Sequence, residues 1–176
     1  MANRTALREL QTRLATRLQA ARTEGVAASW LAVEASGTRY LLPLSQAGEI
    51  FPFAQIQAVP YTQRWFMGVA NLRGGLYGVV DLASFVTGAM PLARPESVRN
   101  EARLVALNSL LEINCALLID RLAGLRNVDA FASSAPPHEG APPWFGSGYT
   151  DPTGTRWQEL DLQALSRQAE FLSISA

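Results

Sequence analysis

The residues best equipped for covalent or acid–base chemistry stand far apart in this 176-residue sequence. His138 is the single histidine and lies in a proline-rich stretch, whereas Cys115, the single cysteine, lies inside an apolar run that favours a buried thiol. A metal site or a cysteine–histidine pair needs several such side chains in a recognisable spacing. The sequence also lacks a Gly-x-Ser-x-Gly elbow, a P-loop and a dinucleotide motif. We therefore predict no catalytic residue, no metal site and no cofactor.

One arginine is placed for a different kind of chemistry, the recognition of another protein. Arg73 follows Asn71 and precedes Gly74 and Gly75, between two strand-like runs. Glycines at 74 and 75 permit the positive φ of a tight turn, so Arg73 can project from its shoulder. Its planar guanidinium can form several charge-assisted hydrogen bonds to a carboxylate or to backbone carbonyls. An arginine in such a turn is also often merely solvated, so the residues alone leave both roles open.

The elements that must position this arginine are predicted over residues 64–88. Two strands join at the glycine turn, and the second, residues 76–82, is apolar almost throughout, which is typical of a strand buried on both faces. Asp81 stands at the N-cap position of a short helix that Gly88 can close. The predicted order is strand, glycine turn, buried strand and short helix.

This stretch resembles the CheW family, whose members are adaptors that join chemoreceptors to a histidine kinase in bacterial chemosensory arrays. In that family a strand ending Gly-Val-x-Asn-Leu-Arg-Gly precedes an apolar strand ending Asp-Leu. The matching residues are Gly68, Val69, Asn71, Leu72, Arg73, Gly74, Val79, Val80, Asp81 and Leu82. Gly78 departs from the pattern, since the family usually has proline there. Glu49-Ile50 and residues 116–121 resemble two further family segments, and the likeness covers roughly residues 28–170.

The resemblance implies a fold, partners and a site. The implied fold is all-β, with two five-stranded SH3-like β-barrels packed around a shared core. The implied partners are the regulatory domain of a CheA-like histidine kinase and the cytoplasmic tip of a methyl-accepting chemoreceptor, joined without enzymatic activity. The implied partner-binding residues are Arg73, Glu49, Gly68, Asn71 and Gly74, of which Gly68 and Asn71 hold the turn and the strand approach. Within the family, residues 65–74 and the N-terminal extension are most similar to adaptors of pilus-linked systems that govern twitching motility. A general flagellar chemotaxis adaptor is the alternative.

The N-terminal segment lies outside the resemblance. We assign residues 1–26 to an extension and residues 27–176 to the CheW-like domain with its short additional helices. Residues 4–24 predict an amphipathic helix whose apolar residues recur at three-and-four spacing. These residues are Leu7, Leu10, Leu14, Leu18 and Ala21. The stripe can pack on its own domain or dock on a partner, and it lacks the aromatic anchor expected of a membrane-surface helix.

The rest of the chain predicts short strands separated by turns. Strand-like runs occupy residues 30–34, 39–44, 46–51, 54–59, 104–107, 113–121, 148–150 and 155–160. With the two strands around Arg73 they make about nine or ten. Residues 89–103, which include Arg94, are predicted to form a solvated connection. Asp120 is predicted to end a strand at a point where its charge is exposed to water. Residues 133–148 predict an exposed proline-rich loop pinned by Trp144.

Composition excludes several function classes. Fifteen acidic residues balance fifteen basic ones, all arginine, so no excess of positive charge is available for binding nucleic acid or anionic membranes. No apolar run reaches the length of a membrane span or forms a signal peptide, and we expect a cytoplasmic protein. The rival hypotheses are a barrel that binds single-stranded nucleic acid and an enzyme with an unrecognised site.

Overall fold

The computed structural model describes Thr12 and residues 29–176 of the chain. Within residues 29–176 it contains eleven strands. They are β1 Trp30–Ala35, β2 Thr38–Pro43, β3 Ala47–Pro52, β4 Phe66–Leu72, β5 Gly75–Asp81, β6 Arg103–Leu107, β7 Cys115–Ile119, β8 Arg121–Arg126, β9 Ser133–Ala135, β10 Phe145–Thr150 and β11 Arg156–Leu160. The helix predicted over residues 4–24 lies outside the described residues, apart from Thr12.

Short helices connect these strands. The α-helices are α1 Leu82–Thr87, α2 Glu96–Glu101, α3 Leu162–Ser166 and α4 Ala169–Leu172, and the 3₁₀ turns are η1 Ser109–Leu111 and η2 Val128–Ala130. The predicted N-cap at Asp81 is confirmed, because its side chain accepts a hydrogen bond from the Ser84 amide. Asp161 caps α3 in the same way, by accepting a hydrogen bond from the Ala164 amide. Gly88 ends α1 in the left-handed conformation, as its position predicts.

The strands form one six-stranded and one five-stranded sheet, whereas the resemblance implies two units of five strands each. One has six strands in the order β8-β1-β2-β11-β10-β9, and the other has five in the order β3-β6-β7-β5-β4. Pairing is antiparallel except between β2 and β11 and between β5 and β7. The all-β fold with short helices that the resemblance implies is confirmed in its coarse form, as a mostly β structure of two sheets, whereas the expectation of five strands in each unit is wrong. The additional strand, β9, lies in the proline-rich segment that was expected to be a loop.

The core lies between the two sheets and on their opposite faces. Along β7, Cys115, Leu117 and Ile119 face a shared core, whereas Ala116 and Leu118 face a smaller core enclosed by the five-stranded sheet. Strands β1, β2 and β6 alternate in the same way, and a third small core lies within the six-stranded sheet. Burial on both faces explains why these strands are continuous apolar runs in the sequence.

The five-stranded sheet curls until the segment after β3 meets β4. Gln57 exchanges two backbone hydrogen bonds with Val69 of β4, with N···O distances of 2.8 and 2.9 Å. This isolated bridge is all that exists of the strand predicted over residues 54–59. It nevertheless covers the outer edge of β4, which would otherwise expose unpaired backbone groups.

The C-terminal part of the chain closes the shared core. Trp144 is buried, so it pins the proline-rich loop as predicted. Phe171 of α4 is also buried and stacks on Trp65, with ring centroids 6.1 Å apart and an interplanar angle of 4°. The last helices therefore stabilise the start of the β4–β5 hairpin, which carries Arg73.

Candidate partner-binding site

The β4–β5 hairpin turns through only two residues, Arg73 and Gly74. Both have positive φ, +49° and +79°, and the flanking residues Leu72 and Gly75 are paired. Positive φ at both central positions defines a type I′ turn, whose twist matches that of the strands. The prediction that Gly75 shares the positive φ is wrong, because Arg73 takes that conformation itself. For a residue with a Cβ this costs about 1 kcal/mol or more.

Asn71 stabilises the turn from the preceding strand. Its side-chain oxygen accepts a hydrogen bond from the Gly74 amide at 3.0 Å. An asparagine that bonds to backbone nearby in this way stabilises a turn locally. The turn is therefore held by Asn71 and permitted by Gly74, and both serve to orient Arg73.

Arg73 pairs with Glu49 across the ends of the sheet. Its Nη1 lies 2.6 Å from Oε1 of Glu49, and the two side chains are 77% and 44% exposed. Glu49 lies on β3 and Arg73 follows β4, which are the two outermost strands of the five-stranded sheet. Two residues that the sequence proposes separately thus meet at one corner, which we name the Arg73–Glu49 corner. Such an exposed pair contributes only about 0.2–1 kcal/mol to stability.

Gly68 lies where two backbone segments approach each other most closely. Its φ is +131°, and a Cβ built on it would lie 2.0 Å from the carbonyl oxygen of Gln57. Only glycine leaves room for that carbonyl. Gly68 therefore positions the segment before the hairpin and does not itself offer a surface to a partner.

A shallow groove runs beside the corner. The groove measures about 460 Å³ and is lined by Ala54, Gln55, Gln57, Val69, Asn71 and Leu76. Leu76 is exposed, which corrects the prediction that β5 is buried on both faces along its whole length. Only its second half is fully buried, including Val79 and Val80 as expected. The groove depends on the bridge at Gln57, which sequence periodicity alone does not reveal.

A buried ion cluster at the far end of the hairpin is the main feature that the sequence did not indicate. Arg94 donates from Nη1 to Asp81 at 2.7 Å and from Nε to Asp120 at 2.6 Å, and its side chain is only 8% exposed. Asp120 also accepts a hydrogen bond from the Ser36 amide in the β1–β2 turn. The prediction of a solvated connection is therefore wrong for Arg94. Part of the same connection, Glu96–Glu101, forms the helix α2.

The Arg94 cluster ties the two sheets together. Asp81 ends β5 of the five-stranded sheet, and Ser36 lies in the turn between two strands of the six-stranded sheet. Asp120 lies between β7 and β8, where the chain passes from one sheet to the other. Burial alone would lower the pKa of Arg94, but the charges and hydrogen bonds of Asp81 and Asp120 outweigh it and raise that pKa. Arg94 is therefore a permanent cation between two carboxylates.

Comparison with protein families matches residues 29–170 to the CheW-like domain. The chain belongs to the CheW-like family. The match begins one residue before β1 and includes the Arg73–Glu49 corner and the Arg94 cluster.

Two relatives show how far the likeness extends. This CheW-like chain is 27% identical over 166 residues to protein PilI of Pseudomonas aeruginosa, which covers 93% of the chain and 89% of PilI. The crystal structure of the scaffolding protein TtCheW from Thermoanaerobacter tengcongensis superposes with a TM-score of 0.60 at 15% identity, covering 76% of this chain and 88% of TtCheW. At that identity the second likeness establishes the fold alone.

Family membership gives the general role. CheW-like proteins are non-enzymatic scaffold adaptors in chemosensory signalling, and CheW-like domains generally bind CheA and chemoreceptors. Every helix in the described part of this CheW-like chain is too short or too polar to span a bilayer.

The reactive side chains of this CheW-like domain are dispersed within residues 29–176. Cys115 is buried, His138 is exposed, and no group of three or more potential metal ligands comes together among the described residues. All four tryptophans are buried, between 5% and 7% exposed. The tryptophan rings are therefore not available for stacking on the bases of a single-stranded nucleic acid.

Cys115 should resist thiol reagents until the domain unfolds. Burial raises the pKa of its thiol to about 12, so almost no thiolate forms near neutral pH. We expect the rate of modification by a chromogenic disulfide at pH 8 to follow the rate of unfolding, and to rise steeply in guanidinium chloride. Rapid reaction in buffer alone would contradict the burial of Cys115.

Proposed function

We propose that this chain is the adaptor of a pilus-linked chemosensory array, which couples methyl-accepting chemoreceptors to a CheA-like histidine kinase and so controls twitching motility. The observation that carries the proposal is the similarity to PilI over nearly the whole length of both chains. In this proposal the protein works in the cytoplasm beneath the receptors. Residues 27–176 form the adaptor domain, and residues 1–26 are an extension to it.

The Arg73–Glu49 corner is the proposed contact with the receptor tip. Glu49 engages one side of the guanidinium and holds Arg73 in place, while the remaining N–H groups stay exposed to a partner. Pre-orientation lowers the entropy that binding must overcome. The adjoining groove offers Leu76 and neighbouring backbone for additional contact. Individually weak contacts of this kind gain strength when many copies assemble in an array.

The kinase is proposed to use a different surface of the same domain. An adaptor must hold both partners at once, so their sites cannot overlap. The part of the outer strand β3 beyond the corner, where Gly48 and Ile50 are exposed, is the proposed kinase-facing edge, next to the receptor contact. Strand edges are common sites of protein association because their backbone groups can pair.

Deletion of the chain in its native host tests the pathway. We expect loss of surface twitching with flagellar swimming unchanged, and recovery when the wild-type chain is supplied again. Loss of swimming with twitching intact would instead assign the chain to general flagellar chemotaxis. In either case, co-purification of a CheA-like kinase and receptors from the same cells would identify the partners.

The role of Arg73 is tested by Arg73→Ala. We expect the free energy of unfolding to change by less than about 1 kcal/mol, because the ion pair is exposed. Binding to a receptor cytoplasmic fragment should weaken about tenfold or more, since hydrogen bonds to a charged group are lost. Isothermal titration calorimetry on purified fragments measures the affinity. Arg156→Ala, at an exposed position on the six-stranded sheet, is the matched control.

A charge exchange separates the ion pair from the partner contact. Arg73→Glu combined with Glu49→Arg keeps opposite charges at the corner but moves the guanidinium to β3. If Arg73 contacts the receptor, this variant should fold normally and still bind weakly. Wild-type affinity in Arg73→Ala or in the exchanged variant would contradict the assignment of Arg73 as a contact residue.

A further inference from the structure

Residues 174–176, which we name the clip, pair with the segment that leads into β4. The Gln63 amide donates a hydrogen bond to the Ile174 carbonyl at 2.8 Å, and the Ala176 amide donates one to the Tyr61 carbonyl at 2.9 Å. The Gln63 side chain donates a third, at 2.8 Å, to the carbonyl of the residue between Ile174 and Ala176. The clip and the segment before β4 therefore form an isolated antiparallel bridge.

Both partners of this bridge are attached to the shared core. Gln63 lies two residues before Trp65, whose carbonyl accepts a hydrogen bond from the Asp81 amide of β5. Ile174 lies three residues after Phe171, which is buried and stacks on Trp65. The clip thus starts from a fixed point, and its hydrogen bonds hold residues 61–63 in place.

Tyr61 is strained in this arrangement. Its φ is +58°, the left-handed conformation that bulky residues rarely adopt. The residue is 89% exposed, so packing of its ring does not explain the conformation. Strained backbone persists only where the surrounding structure imposes it. The hydrogen bonds from the clip supply such contacts, at the Tyr61 carbonyl and at Gln63.

A short stretch of chain connects Tyr61 to the groove of the proposed receptor contact. Three residues separate Tyr61 from Gln57, which lines that groove and pairs with β4. One of the three is Pro60, whose φ is fixed by its ring. The Thr62 hydroxyl also donates a hydrogen bond to the Val59 carbonyl at 2.9 Å. Because the connection is short and stiff, a change in φ at Tyr61 moves Gln57.

We propose that the clip sets the shape of this groove, and that release of the clip lets Tyr61 relax and opens the pairing of Gln57 with Val69. The inference rests on the proposed function, because it makes the clip a positioning element for the receptor contact. With the clip bonded, the groove is formed before the receptor arrives, which lowers the entropy lost on binding. Receptor binding and bonding of the clip therefore favour each other.

Hydrogen exchange in the full chain tests the link between clip and groove. Ala176→Pro combined with Gln63→Ala, the clip variant, removes two of the three hydrogen bonds, since proline lacks an amide donor. We expect the amides of Gln57 and Val69 to exchange about tenfold faster or more. Ala176→Ser combined with Gln163→Ala keeps the three bonds and removes an exposed glutamine elsewhere, so both rates should stay the same. Unchanged exchange at Gln57 in the clip variant would overturn the proposal.

A substitution at Tyr61 separates backbone strain from loss of pairing. Asparagine tolerates positive φ, so Tyr61→Asn removes much of the reason to relax. Added to the clip variant, it should bring exchange at Gln57 most of the way back to the wild-type rate. Tyr61→Phe keeps a strained aromatic residue and should not. Equal rates in these two chains would show that strain at Tyr61 does not drive the opening, against the proposal.

Receptor binding gives an independent measurement. The clip variant should bind a receptor cytoplasmic fragment roughly fivefold more weakly or worse, and saturating fragment should slow exchange at the Gln63 amide of the wild-type chain. Faster exchange at Gln57 with unchanged receptor affinity would overturn the positioning role. If the wild-type chain bound no receptor fragment, the proposed function would fail, and exchange at Gln57 would alone decide whether the clip sets the groove.

Discussion

Replacing Arg94 with methionine should lower the free energy of unfolding by about 3–5 kcal/mol. Methionine keeps much of the side-chain length but removes the cation between Asp81 and Asp120, whose carboxylates lie 2.7 and 2.6 Å from the guanidinium. Asp81 is almost fully buried, so its charge would then have neither a partner nor adequate solvation. Guanidinium chloride unfolding followed by circular dichroism measures the change.

Removal of the carboxylate charges should restore part of this stability. Asp81→Asn and Asp120→Asn in the Arg94→Met background eliminate the uncompensated charges, and asparagine can still cap α1. Arg156→Met controls for loss of an exposed arginine and should change the free energy by about 0.5 kcal/mol or less. A similarly small effect of Arg94→Met would show that the cluster does not stabilise the junction of the sheets.

Replacing Gly68 with alanine should have the second large effect and lower the free energy of unfolding by about 3 kcal/mol or more. The added Cβ would lie 2.0 Å from the Gln57 carbonyl oxygen, and the contacting atom is backbone that no rotamer change can move. The φ of +131° adds strain for any residue with a side chain. We expect the two hydrogen bonds between Gln57 and Val69 to open, with faster hydrogen exchange at both amides.

Gly74→Ala is the matched control for this prediction. Gly74 also has positive φ, +79°, but a Cβ there meets nothing within 4 Å. Gly74→Ala should therefore lower the free energy of unfolding only by the conformational strain of the alanine, about 1–2 kcal/mol. Comparable losses in the two variants would mean that backbone strain, and not the close approach of Gln57, explains the requirement for Gly68.

Features that depend on neighbouring residues could be predicted from the sequence. The tight turn at Arg73, the N-cap at Asp81 and the final hairpin all follow from residue preferences within a few positions, although the positive φ of Arg73 itself does not. The apolar strands were also evident because each is buried on both faces. Arg73 was evident from its glycine turn and Glu49 from the family resemblance. Their pairing could not be predicted, since it requires the outer strands of a sheet to meet at one corner.

Features that depend on distant residues could not be predicted. Arg94 stands among prolines and charges, a setting typical of solvated loops, and its burial is decided by Asp81 and Asp120, which are 13 and 26 residues away. Exposure of Leu76 likewise depends on how the sheet curls beyond it. A local pattern contains no information about which elements approach each other in three dimensions.

The shared core has a mechanical consequence. Strands from both sheets insert alternate side chains into it, and such close-packed interiors are nearly incompressible. Sliding one sheet against the other would open voids, and the Arg94 cluster resists the same motion. We therefore expect a force applied at the Arg73–Glu49 corner to move both sheets together, so that the domain transmits the displacement as one rigid body.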